Sequence, residues 1–267
     1  MYPLLFGAVP VYGLAVAAAI AVGTAIAAWC MRRLGVATES RRIVVVVLVA
    51  AGLIGLAGAK ANSLIERGTV HGLAWELQHG YRYPGAILAL LVALPLLARA
   101  RRLGAPLLDI GDAAATAAGF SMGIVRLGCF LAGCCHGPVS ALAWAVAFPA
   151  GSPAWNAQLA GGLVLPDAAA ALPVHPLQLY FALWSLALGA LLLWWAPRRA
   201  YPGQVLLVWV ALDNLAKAAL ETLREPPAPH LQWLSLAIGV AAITSIALLA
   251  ERRRAGVGTR LAGLPRT

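Results

Sequence analysis

Apolar runs of about twenty residues recur along this chain, and the short segments between them hold most of its Lys and Arg. Crossing a ~30 Å hydrocarbon core takes roughly 20 apolar residues in a helix. Seven runs qualify, at about 8–31, 43–65, 83–98, 107–128, 175–196, 203–222 and 231–250. The third is short and opens at Tyr83-Pro84-Gly85, which predicts a tilted or partly re-entrant segment. The expected fold is an all-α polytopic membrane protein of seven transmembrane helices, with residues 1–267 forming one integral membrane domain. Composition agrees: 61% of residues are hydrophobic and 11% charged, against about half and about a quarter in soluble domains. So few charges cannot coat a water-facing surface, and lipid must be the solvent.

The basic residues fix an orientation. Fourteen of the 20 Lys and Arg residues lie in loops or tails. Arg32, Arg33, Arg41 and Arg42 follow the first run; Arg99, Arg101 and Arg102 follow the third. Arg198 and Arg199 follow the fifth, and Arg252, Arg253, Arg254, Arg260 and Arg266 follow the seventh. The segment 138–174 has neither Lys nor Arg. Positive-inside bias then places the N-terminus outside, the basic tail at 251–267 in the cytoplasm, and 138–174 outside. That external loop is rich in Pro, Gly and Ala, so little structure of its own is expected. Met1 to Ala28 lacks a basic n-region, so the first run is expected to remain as a span. A net charge of +10 distributed in this way leaves no folded basic face for nucleic acid. The lack of a convincing internal repeat argues against an inverted-repeat transporter.

Outside those loops stand Lys60, Arg67, Arg82, Arg126, Lys217 and Arg224, with Asp112, Asp213, Glu221 and Glu225 near or within spans. A charge at mid-bilayer costs at least ~2.5–3.5 kcal/mol, so such side chains face a cavity or a partner. Arg126 lies near the outer end of the fourth run. It is followed by Leu127-Gly128-Cys129-Phe130-Leu131-Ala132-Gly133-Cys134-Cys135-His136-Gly137, whose glycines, Gly128 and Gly133 among them, permit close packing or approach to a ligand. Arg224 follows the sixth run on the same side, beside Glu221 and Glu225. Two guanidiniums from different spans make a fork for a lipid phosphate. Alternatively, Arg126 snorkels to the interface and Arg224 pairs only with Glu221. At the start of the fifth run, His175, Gln178 and Tyr180 fall at the outer interface, where a Tyr often serves as an anchor. Tyr12 has the same ambiguity.

Cys129, Cys134, Cys135 and His136 are of metal-ligating type. The usual zinc spacing has two or three residues between Cys ligands, and here there are four, then two adjacent cysteines. A packed turn of small residues is favoured over a metal centre. No metal or other cofactor is expected.

Taken in order, these segments resemble the prolipoprotein diacylglyceryl transferase family. Pro10-Val11-Tyr12-Gly13-Leu14 is similar to its Tyr-Gly element, and Gly58-Ala59-Lys60 to its Gly-Ala-Arg/Lys element. Arg126-Leu127-Gly128 with Phe130 stands where the family signature has Arg-x-Gly-Asn-Phe. Trp144 with Phe148-Pro149 resembles its outer-loop Trp segment. His175-Pro176-Leu177-Gln178-Leu179-Tyr180 and Glu221-Thr222-Leu223-Arg224-Glu225-Pro226 match its His-Pro-x-Gln-Leu-Tyr and Glu-x-x-Arg-Glu-Pro runs. The resemblance covers nearly the whole chain.

It implies a transferase of the bacterial inner membrane that moves diacylglyceryl from phosphatidylglycerol to the thiol of a lipobox cysteine in a preprolipoprotein signal peptide. Glycerol phosphate leaves and a thioether forms. By carry-over, Arg126 and Arg224 hold the headgroup and leaving phosphate, Tyr12 and Tyr180 orient the glycerol, and Glu221 and Glu225 position Arg224. His175, Gln178, Gly128 and Gly133 complete the substrate site. The incoming thiol needs a base. The family's His-Gly-Gly element is replaced by Tyr83-Pro84-Gly85-Ala86, leaving His136 or His79 for that role. Its Asn and Glu positions are Cys129 and Cys134. Alternatives from the residues are a lipid-modifying enzyme with another acceptor, a non-catalytic lipid-binding or transport protein, and a thiol or metal protein built on the cysteines.

Overall fold

The structure is a computed structural model, and it describes residues 4–5, 9–46, 49–50, 53–54, 57, 106–225 and 229–262. Six helices are labelled here: α1 (Val11–Arg33), α2 (Leu107–Ala132), α3 (Pro153–Ala160), α4 (Leu177–Trp195), α5 (Gln204–Leu220) and α6 (Pro229–Ala262). Residues 38–46 are also helical. Ahead of α1, Leu4–Leu5 and Val9–Pro10 form a two-residue antiparallel ladder.

Among the described residues, four helical segments are long and apolar enough to span a membrane: Val11–Arg33, Leu107–Ala132, Leu177–Arg198 and Pro229–Arg253. They coincide with the first, fourth, fifth and seventh expected runs. The sixth is α5, whose 17 residues rise about 26 Å, slightly short of a ~30 Å core. The second run is described only at 43–46, 49–50, 53–54 and 57, all helical. The third run, Lys60, Arg67, His79, Arg82 and the Tyr83-Pro84-Gly85-Ala86 segment lie outside the described residues.

The central helix is α2, which packs against α1, α4 and α5, while α6 packs on α5. Small residues set the approach to α4: a Cβ on Gly119 would stand 2.6 Å from the Gly189 Cα. Backbones this close gain dispersion and leave no room for side chains. The outward faces remain apolar, with Leu183, Trp194 and Trp233 well over half exposed. Water would penalise such a surface; hydrocarbon does not. The protein is a helical membrane protein.

At one end of the bundle α2 also builds the start of α5. The buried Asp112 carboxylate accepts the backbone N–H groups of Gly203 (2.8 Å) and Leu206 (2.9 Å), capping α5 from outside its own chain segment. Arg199 closes the network, with Nε 2.9 Å from Asp112 Oδ2 and a second nitrogen paired to Asp109. Arg199 is thus a structural ion-pair partner as well as a loop charge.

Segment 138–174 differs from the expectation of a loop with little structure. Ser152 caps α3 through a bond from the Trp155 N–H (3.2 Å), with Pro153 in the first turn. Isolated bridges join Val139 and Val146 to Val174, and Pro149 to Ala170. Phe148, Ala154, Trp155, Ala171 and Val174 form a core of their own. Gln158 binds Leu172 in both directions, donating to its carbonyl (3.1 Å) and accepting from its N–H (2.7 Å). Pro and Gly here shape turns around an apolar centre.

Candidate functional site

Helix α2 ends in a corner that assembles the site. The Cys134 N–H bonds the Cys129 carbonyl (3.2 Å) and the Gly133 N–H bonds the Phe130 carbonyl (3.1 Å), the two bonds of a Schellman motif. Gly133 takes φ 73°, and a Cβ there would meet Phe148 at 2.9 Å, so this position requires glycine. The turn folds the chain back over the last helical turn, bringing Cys134 and Cys135 beside Cys129. Their three sulfurs lie within 4.8 Å of one another. Cys135 has φ 57°, the one non-glycine residue with positive φ among those described. Holding it there costs of order 1–3 kcal/mol, which the surrounding packing must offset.

The expected site residues gather around this corner. Tyr12, in the first turn of α1, lies against Gly128, where a Cβ would come 3.5 Å from its ring and 2.5 Å from the Ala15 Cβ. Arg126 stacks on Phe181 of α4, its guanidinium carbon 4.4 Å from the ring centroid. Gln178, fully buried, donates from Nε2 to the Cys134 carbonyl at 2.6 Å. Its Oε1 has no hydrogen-bond partner among the described residues. A Cβ on Gly137 would lie 2.8 Å from both His175 Cβ and the Leu223 carbonyl, so the turn after α5 closes on the same loop.

Arg224 follows that turn, held by a two-point pair with Glu221. The pairing anticipated from sequence is present, and Arg224 also acts beyond it, because it and Arg126 both bear electrostatically on Cys135. The Cys135 thiol is held below the ordinary thiol range by its neighbours Cys129 and Cys134, and the Arg126 and Arg224 charges add to this. The Cys134 thiol is pushed up by its hydrogen bonds to Cys129 and Cys135 and by burial. Arg126 of α2 and Arg224, on the turn after α5, therefore both add positive field at Cys135.

Tyr180 forms a relay rather than a plain anchor. Its hydroxyl accepts from Trp144 Nε1–H (2.8 Å) and is 3.2 Å from His175 Nδ1. Having accepted from Trp144, it can donate its own proton to His175. Buried His136 has Nδ1 2.9 Å from the Gly137 carbonyl. A carbonyl only accepts, so Nδ1 is the donor, and in the neutral ring the lone pair lies on Nε2. A cavity of about 440 Å³ is lined by His136, Gly137, Gln158 and Glu225. Exposed Glu225 thus faces the loop, and Glu221 is the acid that grips Arg224.

Sequence reasoning did not reach Phe181 beneath Arg126 or the meeting of the three thiols. The second had a readable signal: a glycine directly after a helix, four residues beyond Cys129.

The geometry defines a helical membrane protein with a two-arginine, three-thiol polar centre at one end of its bundle. The chain belongs to the prolipoprotein diacylglyceryl transferase family, whose family model matches residues 4–250. It is 31% identical over 192 residues to a phosphatidylglycerol–prolipoprotein diacylglyceryl transferase of Geobacter sulfurreducens, covering 68% of this chain and 65% of that protein. It is 26% identical over 171 residues to one from Clostridium tetani, covering 64% and 62%. A third, transferase 2 of Clostridium perfringens, is 27% identical over 128 residues, covering 48% and 44%. The chain spans less than two thirds of the length of each of these relatives.

Proposed function

We propose that this protein transfers the diacylglyceryl group of phosphatidylglycerol to the thiol of a lipobox cysteine in a prolipoprotein. The observation that carries this is the placing of two arginines at the corner that ends α2: Arg126, stacked on Phe181, and Arg224, clamped by Glu221 on the turn that closes against Gly137. Their positive field suits an ester phosphate that gains charge as it leaves. The acceptor thiolate attacks the glyceryl carbon next to the phosphate; the C–S bond forms, the C–O bond breaks, and glycerol phosphate departs with the electron pair. Arg126 and Arg224 bind the phosphate, Tyr12 and Tyr180 orient the glycerol, and His136 Nε2 is a candidate base for the thiol. A groove of about 330 Å³ between α1 and α2, lined by Val16, Ile20, Ala118 and Val125, suits an acyl chain.

In this reading seven helices cross a bacterial inner membrane, with the N-terminus and segment 138–174 outside and the C-terminus in the cytoplasm. The test is incubation of the full chain with labelled phosphatidylglycerol and a lipobox peptide, assayed for thioether and glycerol phosphate. Both products are expected in equal amounts. Glycerol phosphate without peptide thioether would point to another acceptor, a second reading favoured by the replacement of the signature's Asn and Glu with Cys129 and Cys134. Lipid binding without either product would retire the enzyme reading.

A further inference from the structure

Three thiols meeting at a strained corner call for an explanation beyond packing. Their sulfurs lie within 4.8 Å of one another. A zinc–sulfur bond of about 2.3 Å places tetrahedral ligands about 3.8 Å apart, so no pair needs to close by more than about 1 Å. Their sequence spacing argues against a site only along the chain; the Schellman turn removes that objection in space. Cys135 is held at φ 57°, and Gln178 fastens the Cys134 carbonyl at 2.6 Å. Three protein ligands with one open position characterise catalytic rather than structural zinc.

We propose that Cys129, Cys134 and Cys135 bind zinc, and that the open fourth position takes up the acceptor thiol and holds it as the thiolate. This rests on the transferase reading above. A coordinated thiol is deprotonated outright. Water leaves the ion as the acceptor sulfur binds, and the S–H proton passes to bulk water. A sulfur lone pair then forms the C–S bond to the glyceryl carbon, and the C–O bond breaks toward the phosphate held by the arginines. The product thioether is neutral and a weak ligand, so water displaces it. No oxidant or reductant is required.

The test uses full-length protein in nanodiscs, reduced, stripped with a chelator, and titrated with Co(II) as a spectroscopic stand-in for zinc. About one equivalent should bind, with thiolate-to-cobalt charge transfer and tetrahedral absorption. Cys129→Ser and Cys135→Ser should weaken binding by more than the roughly 10–100-fold that loss of an outer-shell partner costs. Cys30→Ala, in a separate core, should bind as the parent does, and size-exclusion profiles should match for all variants. Adding lipobox peptide should shift the cobalt spectrum, and its Cys→Ser version should not. Absence of thiolate bands in the parent would overturn the metal site, as would binding that survives both Ser variants. Binding of Cu(I) without Co(II) or Zn(II), or a spectrum blind to the peptide thiol, would overturn thiol activation. A shifted spectrum with no thioether from phosphatidylglycerol would leave the site standing and retire the transferase reading instead.

Discussion

Glu221 engages Arg224 at two points, with Nη2 donating to Oε1 at 2.9 Å and Nε donating to Oε2. Two of the five guanidinium N–H groups are consumed, and three remain for a ligand. The pair spans three residues across a 3-10 turn, with Glu221 at 8% side-chain exposure and Arg224 at 24%. Glu221 therefore fixes the rotamer of an arginine whose other edge is open. Such pre-organisation raises the usefulness of a cation more than its charge alone.

Replacing Arg224 with Ala should remove a charge-assisted contact of about 1.5–3 kcal/mol, or roughly 10–150-fold in turnover of phosphatidylglycerol. Lys should restore little, since it cannot reproduce the fork. Glu221→Gln should fall between wild type and R224A, because the side chain loses its two-point clamp but keeps its charge. Glycerol phosphate release gives the readout; equal rates for R224A and wild type would remove Arg224 from the site.

Arg126 depends on Phe181 in a different way, through stacking 4.4 Å above the ring. Phe181→Leu retains apolar volume and removes the quadrupole, so it should weaken lipid binding by about 0.5–2 kcal/mol. Arg126→Ala should cost more, because the charge itself is lost. Apparent KM for phosphatidylglycerol should rise in F181L with protein stability little changed. A large drop in stability with normal KM would make the stack a packing contact only.

The ion-pair network of Asp112 should behave as structure. Asp112 is fully buried and caps α5 while pairing with Arg199. Asp112→Ala leaves Arg199 and two backbone N–H groups short of a partner, and losing one member of such a pair costs about 3–5 kcal/mol. Thermal unfolding in detergent should show this loss, with activity per folded molecule close to wild type. Unchanged unfolding would mean that Arg199 and Asp109 suffice.

Much of the architecture is legible in the sequence because hydrocarbon imposes one simple requirement, apolar length. The ends of α1, α2 and α4 fall within a few residues of the apolar runs that foretell them. Charge placement also picks out Arg126 and Arg224, since a cation within or beside a span demands a reason. What stays hidden depends on contacts distant in sequence. Phe148 and Val174 meet through irregular bridges, with no period to betray them. Asp112 reads as one more polar residue in a helix until Gly203 and Leu206 arrive from ninety residues away. The approach of the three cysteine sulfurs is hidden for the same reason, since a 6→1 turn brings them together in space.

Orientation rests on Arg placement, and labelling can test it directly. In a cysteine-free background, Leu165→Cys should react with a membrane-impermeant maleimide applied to intact cells, since Leu165 is 70% exposed on segment 138–174. Arg253→Cys, also exposed, should react only after permeabilisation. The reverse pattern at either position would overturn the proposed topology.

Phe148 ties segment 138–174 to the site, and its removal should damage both. The side chain is fully buried, meets Phe130 of α2 edge-to-face at 6.0 Å between ring centroids, and covers Gly133 where the chain turns toward the cysteines. Phe148→Ala should cost about 3–5 kcal/mol if the void does not collapse. Segment 138–174 can open without melting the membrane helices, so the loss should appear locally. Limited proteolysis should cut F148A within 138–174 at concentrations that spare the parent. Turnover should fall as well, because Gly133 loses the ring that backs its turn and the Cys134–Cys135 corner is no longer held. Phe148→Leu, which keeps most of the volume, should protect the segment and recover a large part of the activity. Proteolysis without loss of turnover would separate segment 138–174 from the site; loss of turnover with the segment intact would place the effect at Phe130 and Gly133 alone.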